Sequence, residues 1–236
     1  MQLSSFSLLL LLCALALASA QTTSPAASRA ASPAASPNTA LITTLKTAAS
    51  QVDRVNALGD DFIFDFRGTL GVSEGRGGKT VAATARNFPA LIGNGVAMTV
   101  GYLGPCGINL PHTHPRATEF NFVASGAFEA GFFMENGNEF VMTNVTQGMA
   151  VVFPQGAIHF EQNMNCEPAV FVAGFNNEDP GVSTIASNFF GLPTAIVGAS
   201  LGGLNISSVE DLRAMLPDNP ALGTEECRRR CGLSLD

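Results

Sequence analysis

The sequence predicts an all-β domain, a sandwich or small barrel of about eight short strands with short α-helices flanking it. Two observations carry this expectation. Between Thr80 and Phe175 short apolar runs are separated by Gly and Pro turn signals, and on either side of that block the apolar period becomes helical. A third observation locates chemistry inside the block: His112 and His114, two of the chain's 3 histidines, stand two residues apart.

Met1 to Ala20 carries an apolar run from Leu8 to Leu17 and ends in Ala18-Ser-Ala20, which reads as a secretory signal rather than a membrane span. Residues 21–39 are Ala, Ser, Thr and Pro with the single charge of Arg29, a composition that predicts a flexible leader. Leu41, Leu45, Ala48, Val52, Val55 and Leu58 fall at helical spacing, so one helix is expected over 40–58, ending at Gly59. The alternating run Asp61 to Phe66 reads as a strand. Gly71 to Lys79 reads as a glycine-rich surface loop, and it lacks the spacing of a phosphate-binding loop.

The strands expected next are 96–103, 109–114, 119–125, 127–134, 139–144, 150–153, 159–165 and 169–175. If Glu119, Asn121 and Val123 face inward, Phe120 and Phe122 face outward and need cover from helices or another subunit. Beyond Pro180, helices are expected over 192–201, with Pro193 in its first turn, and over 207–217, with Ser207 and Glu210 spaced as a capping box. Residues 217–236 read as a short charged tail whose run of three Arg is a solvated face.

The chain has 236 residues, 13% charged and 46% hydrophobic, with net charge -7. That is one domain of ample core size. The acidic balance, with a pI near 4.9, argues against nucleic acid and anionic membrane as partners. Asn144-Val-Thr and Asn205-Ile-Ser are glycosylation sequons.

On a strand, His112 and His114 leave the same face and are spaced to grip one ion. Glu119 opens the next strand, where its carboxylate can fold back onto the pair, and His159 follows a second turn-rich stretch. Three imidazoles and one carboxylate fill four positions of an octahedron and leave two adjacent ones open, which suits Mn(II), or Fe(II) as the second choice, over structural zinc.

Gly148, Pro154, Gly156, His159 and Asn163 have the spacing of the second motif of the cupin superfamily, which the chain resembles at each of these positions. The first motif resembles the family from His112, His114 and Glu119 to Gly126, with Cys106 standing where the family has its leading Gly. Asn109 to Glu119 is similar to the germin-like branch, spherulins included, and the resemblance spans about residues 50–205.

The resemblance implies a single jelly-roll β-barrel domain over 40–215, with the barrel at about 80–175 and C-terminal helices at about 190–216 that clasp subunits into homotrimers or homohexamers. It also implies manganese on His112, His114, Glu119 and His159, with superoxide or oxalate as the small-molecule substrate. Asn109 matches a substrate-holding asparagine of the germins, whereas Thr99 stands near the second amide position of oxalate-oxidising members, which leaves superoxide ahead. The competing reading is a non-catalytic secreted storage, wall-associated or stress protein with a structural metal.

Cys106, Cys166, Cys227 and Cys231 allow three pairings. In a cupin barrel the His112 and His159 strands run antiparallel, which brings Cys106 and Cys166 opposite each other within one residue. Cys106–Cys166 is therefore the expected disulfide, and the pairing of Cys227 and Cys231 stays open.

Overall fold

The computed structural model describes residues 39–235; the expected signal, and all but the last residue of the leader, lie outside them. The expected N-terminal helix is two helices, α1 (Thr39–Thr47) and α2 (Gln51–Leu58). Ser50 divides them, because its hydroxyl accepts from Asp53 N at 3.1 Å while the Asp53 carboxylate accepts from Ser50 N at 3.1 Å. This capping box ends one helix by starting another. Leu45 and Leu58 pack with Ala90 and Ile92 into a small cluster. Asp61 to Phe66 forms no strand: the Phe64 ring packs on Phe66 and Phe88 at centroid distances of 4.9 and 5.5 Å, so its alternation serves an aromatic contact instead of a ladder. The Gly71–Lys79 stretch is largely a hairpin, β1 (Val72–Gly75) and β2 (Gly78–Ala83), turning at Arg76-Gly77.

The next eight strands fall where turn spacing placed them: β3 (Ala97–Leu103), β4 (Gly107–Thr113), β5 (Glu119–Ser125), β6 (Ala127–Phe133), β7 (Val141–Thr146), β8 (Ala150–Phe153), β9 (Ile158–Gln162) and β10 (Ala169–Phe175). A short β11 (Ser183–Thr184) follows. One sheet has the order β1-β2-β3-β10-β5-β8 and the other β11-β4-β9-β6-β7, all antiparallel. The fold is a jelly-roll. Leu103, Val123, Phe128, Phe153 and Phe171 meet in its interior. Alternation on β5 buries Glu119, Asn121 and Val123 and turns Phe120 and Phe122 outward, as the sequence predicts.

After β11 the chain runs through α3 (Ile185–Phe190), which the sequence reading missed, then α4 (Thr194–Ser200) and α5 (Ile206–Ala214). The cap of α5 is Asn205, whose side chain accepts from Ser208 N at 2.9 Å, so the helix starts one residue before the predicted Ser207 cap. Pro193 stands just before the first turn of α4.

Residues 217–235 are no free tail. They carry β12 (Ala221–Leu222), paired with β4, and α6 (Glu225–Arg230). Pro220 O accepts from Gly77 N at 3.0 Å, and a Cβ on Gly77 would stand 1.7 Å from Ala221 O, so only glycine lets this strap lie across the β1–β2 turn.

Disulfides fasten the strap, and they overturn the expected Cys106–Cys166 bond: Cys106 pairs with Cys227 and Cys166 with Cys231. The register behind the expectation holds, with His112 opposite His159, although a bulge interrupts it between Asn109 and His112. Cys106 N even reaches Asn165 O at 3.1 Å. The side chain departs because Cys106 sits at φ +54°, in the left-handed region, just outside β4, and this turns its Sγ out of the ladder toward α6. Cys227 and Cys231, one helical turn apart, take one barrel cysteine each.

Candidate metal centre

The structure brings His112 and His114 from β4, Glu119 from β5 and His159 from β9 together, all buried, with one ligand atom from each within 4.8 Å of the others. The ring centroids of His112 and His159 are 4.2 Å apart, and Phe153 stacks on His159 at 4.3 Å. Glu119 Oε2 lies 3.0 Å from His114 Nε2 and 3.1 Å from His159 Nε2.

Backbone carbonyls decide which ring nitrogens face inward. Nδ1 of His112 donates to Leu110 O at 2.8 Å, that of His114 to Gly181 O at 2.5 Å, and that of His159 to Ala157 O at 2.9 Å. A carbonyl only accepts, so each Nδ1 carries its hydrogen and each Nε2 is left as the atom that could ligate a metal.

Two such nitrogens facing one carboxylate oxygen require a cation or a proton between them. Ligand atoms about 2.1 Å from one ion are about 3.0 Å apart at right angles and about 3.4 Å apart at the tetrahedral angle. The separations of 3.0 and 3.1 Å match the right-angled arrangement. The donor set therefore fits a divalent ion.

Electrostatics point the same way. Burial, followed by the neighbouring His159, pushes His112 down to about 3, so this ring is neutral and ready to ligate. Burial opposes charge on Glu119, but hydrogen bonds from His114 and His159 outweigh it and hold the carboxyl well below its ordinary range. Burial likewise pulls His159 down, but its bond to Glu119 and the charges of Glu119 and Glu161 prevail and raise it.

A second buried layer surrounds the ligands. Asn121 Nδ2 donates to Glu119 Oε1 and to Glu161 Oε1, both at 2.9 Å, and Asn109 Nδ2 donates to Glu161 Oε2 at 3.0 Å. Burial, followed by the Glu119 charge, pushes Glu161 up to about 8. Asn121 and Glu161 lie two residues beyond Glu119 and His159, so the period of two already placed them on the ligand face; sequence reasoning assigned them no role. Asn219 was missed outright, since it reaches the site from the segment read as a tail. Its Nδ2 donates to Asn109 Oδ1 at 2.8 Å, and its Oδ1 accepts from Leu110 N at 2.7 Å.

Asn109, His112, His114, Glu119 and Asn219 line a cavity of about 270 Å³, with Thr99 also on its wall. Of the two sequons, Asn144 is exposed on β7 and Asn205 is exposed as the cap of α5. Among the described residues no helix is long and apolar enough to cross a membrane.

Comparison with known proteins agrees with the fold and the motifs. Residues 67–202 match the family described as Cupin. Spherulin-1A of Physarum polycephalum is 61% identical over 196 residues, covering 82% of this chain and 80% of that protein. Germin-like protein 1-1 of Oryza sativa subsp. japonica is 39% identical over 138 residues, 58% of this chain and 63% of that one. Among solved structures, an oxalate oxidase superposes with a TM-score of 0.57 at 27% identity, over 66% of this chain and 83% of that chain. The chain belongs to the cupin family, and within it to the spherulin and germin-like proteins.

Proposed function

We propose that the protein is a secreted, manganese-binding oxidoreductase whose centre, held by His112, His114, Glu119 and His159, acts on superoxide or a small oxyacid. The observation that carries this reading is the set of three Nε2 atoms and one carboxylate converging on one point, each imidazole oriented by a backbone carbonyl. Bound manganese would supply one-electron exchange and a Lewis acid. The chain's own part is to keep His112 neutral, to keep Glu119 ionised, and to shield one side of the site with Phe153 and Phe175, the latter 4.6 Å from the His114 ring. Superoxide needs no orienting group beyond the ligands. Oxalate is the second reading, supported by the likeness to oxalate oxidase.

The protein works in this reading as a homotrimer or homohexamer outside the cell, with glycans on Asn144 and Asn205. The assembly is supported by a row of outward apolar residues across one sheet: Met98 opposite Gly174, Gly174 opposite Phe120, and Phe120 opposite Val152. Such a row is stable in water when a partner surface covers it.

The test is metal analysis of the purified protein and of His112→Ala and His159→Ala, followed by separate superoxide and oxalate assays of the manganese-loaded form. The expected result is one manganese per subunit, lost in both variants on the order of 100-fold or more in affinity, and turnover of superoxide. Folded variants that keep stoichiometric metal would refute the ligand set. Loaded protein that turns over neither substrate would leave the metal a structural role.

A further inference from the structure

The cavity in front of the ligands has a donor-rich wall. Apart from His112, His114 and Glu119, its polar side chains are the amides of Asn109 and Asn219 and the hydroxyls of Ser73, Thr80, Thr99 and Thr184, with no further carboxylate. The two amides form a fixed pair. Asn219 Nδ2 donates to Asn109 Oδ1 at 2.8 Å, and Asn109 Nδ2 donates to Glu161 Oε2 at 3.0 Å, so one N–H of each amide is engaged and the other has no hydrogen-bond partner among the described residues. Asn219 cannot turn away, because its Oδ1 is held by Leu110 N at 2.7 Å and its backbone O by Ser73 Oγ at 2.9 Å. Beyond it, the strap is pinned by β12 and by Cys106–Cys227.

We propose that Asn219 is a ligand-binding residue of this cavity, carried there by the C-terminal strap, and that with Asn109 it forms an amide pair receiving the outer oxygens of a small oxyacid whose inner oxygens face the metal. This rests on the proposed metal site and deepens it by naming a recognition element from a segment remote in sequence. An anion suits the pair because amide N–H groups donate to it without adding charge, and a donor aimed at a charged oxygen is roughly twice as strong as a neutral contact. Asn219 hydrogen-bonds to Leu110, Asn109 and Ser73 and to none of the four, so its loss should alter ligand affinity and leave metal content unchanged.

The discriminating substitution is Asn219→Asp. It keeps an oxygen for Leu110 N, and thus the anchoring of the strap, but replaces both Nδ2 hydrogens, the one donated to Asn109 Oδ1 and the free one, by a carboxylate oxygen on the cavity wall. The full-length, disulfide-intact protein loaded with manganese is titrated calorimetrically with glycolate and with oxalate, alongside metal analysis and thermal unfolding. The expected result is unchanged manganese and a folded protein whose unfolding is lowered only by loss of the Asn219–Asn109 hydrogen bond, with glycolate and oxalate binding weakened more than tenfold. Asn219→Ser, which removes the amide without adding charge, provides a second arm should Asn219→Asp fail to fold, and about a tenfold loss is expected there.

Binding of both acids at wild-type affinity by a folded, metal-loaded variant overturns the role of Asn219 and leaves the metal site standing. Loss of manganese from the variant also overturns it, since the residue would then act through the ligands. Wild-type protein that binds neither manganese nor acid overturns the metal reading and this inference together, whereas wild-type protein that binds manganese but neither acid overturns this inference alone.

Discussion

Removing the Cys106–Cys227 disulfide should destabilise the protein by an amount set by the chain it closes. The two cysteines are 121 residues apart. With Cys166–Cys231 intact, however, the shorter path runs 60 residues from Cys106 to Cys166, across that bond, and 4 residues back from Cys231 to Cys227. A loop of that size corresponds to about 4 kcal/mol of lost denatured-state entropy. At roughly 2 to 4 °C per kcal/mol for a domain of this length, the Cys106→Ala/Cys227→Ala protein should melt roughly 8 to 16 °C below wild type.

The left-handed φ of +54° at position 106 permits a finer comparison. Alanine keeps the strain there and glycine relieves it, so Cys106→Gly/Cys227→Ala should recover about 1 kcal/mol relative to the alanine pair. Thermal unfolding followed by circular dichroism without reductant, with intact mass confirming the remaining bond, makes the measurement. A fall of less than about 2 °C for the alanine pair would refute the view that this bond holds the strap on the barrel. Equal melting of the glycine and alanine pairs would refute the strain at position 106.

Two further predictions concern metal affinity and assembly. Because His112 is already neutral while His159 is raised by Glu119, loading should displace a proton chiefly from His159, and affinity should fall about tenfold per pH unit below the His159 pKa. Metal titrations between pH 5 and 8 in steps of about one unit check this, and an affinity independent of pH would contradict it. Phe120→Asp places a charge in the outward row beside Met98 and Val152, where Phe120 is 59% exposed in the single chain, and should shift the assembly toward monomer. Light scattering after gel filtration reads the mass; a wild-type monomer at micromolar concentration would remove the argument for a covered sheet face.

The eight strands from β3 to β10 were legible in the sequence because alternation and Gly or Pro turns are local signals, and the convergence of His112, His114, Glu119 and His159 was legible because residues two apart on a strand share a face and the motif spacing resembles that of the cupins. Local signals also misled. Ser50 reads as one more helical position until its side chain is seen to bond Asp53 N, and Asp61 to Phe66 alternates without a strand to pair with. What stayed illegible depends on contacts distant in sequence: the return of Asn219 onto Asn109, 110 residues away, leaves no trace in either neighbourhood.

Cys106 joins the two cases. The resemblance places a glycine there, and the left-handed φ of +54° gives the physical reason for one. This chain accepts the strain with a cysteine, and the same backbone conformation that aims the Sγ away from Cys166 aims it at Cys227. The bond fixes α6, and the chain just ahead of β12 carries Asn219 to the cavity wall. The departure from the first motif and the amide contributed by the C-terminal segment thus meet in one strap: Cys106–Cys227 ties it covalently to the residue just before the strand that bears His112 and His114, while Leu110 N and Ser73 Oγ hold Asn219 at the cavity wall.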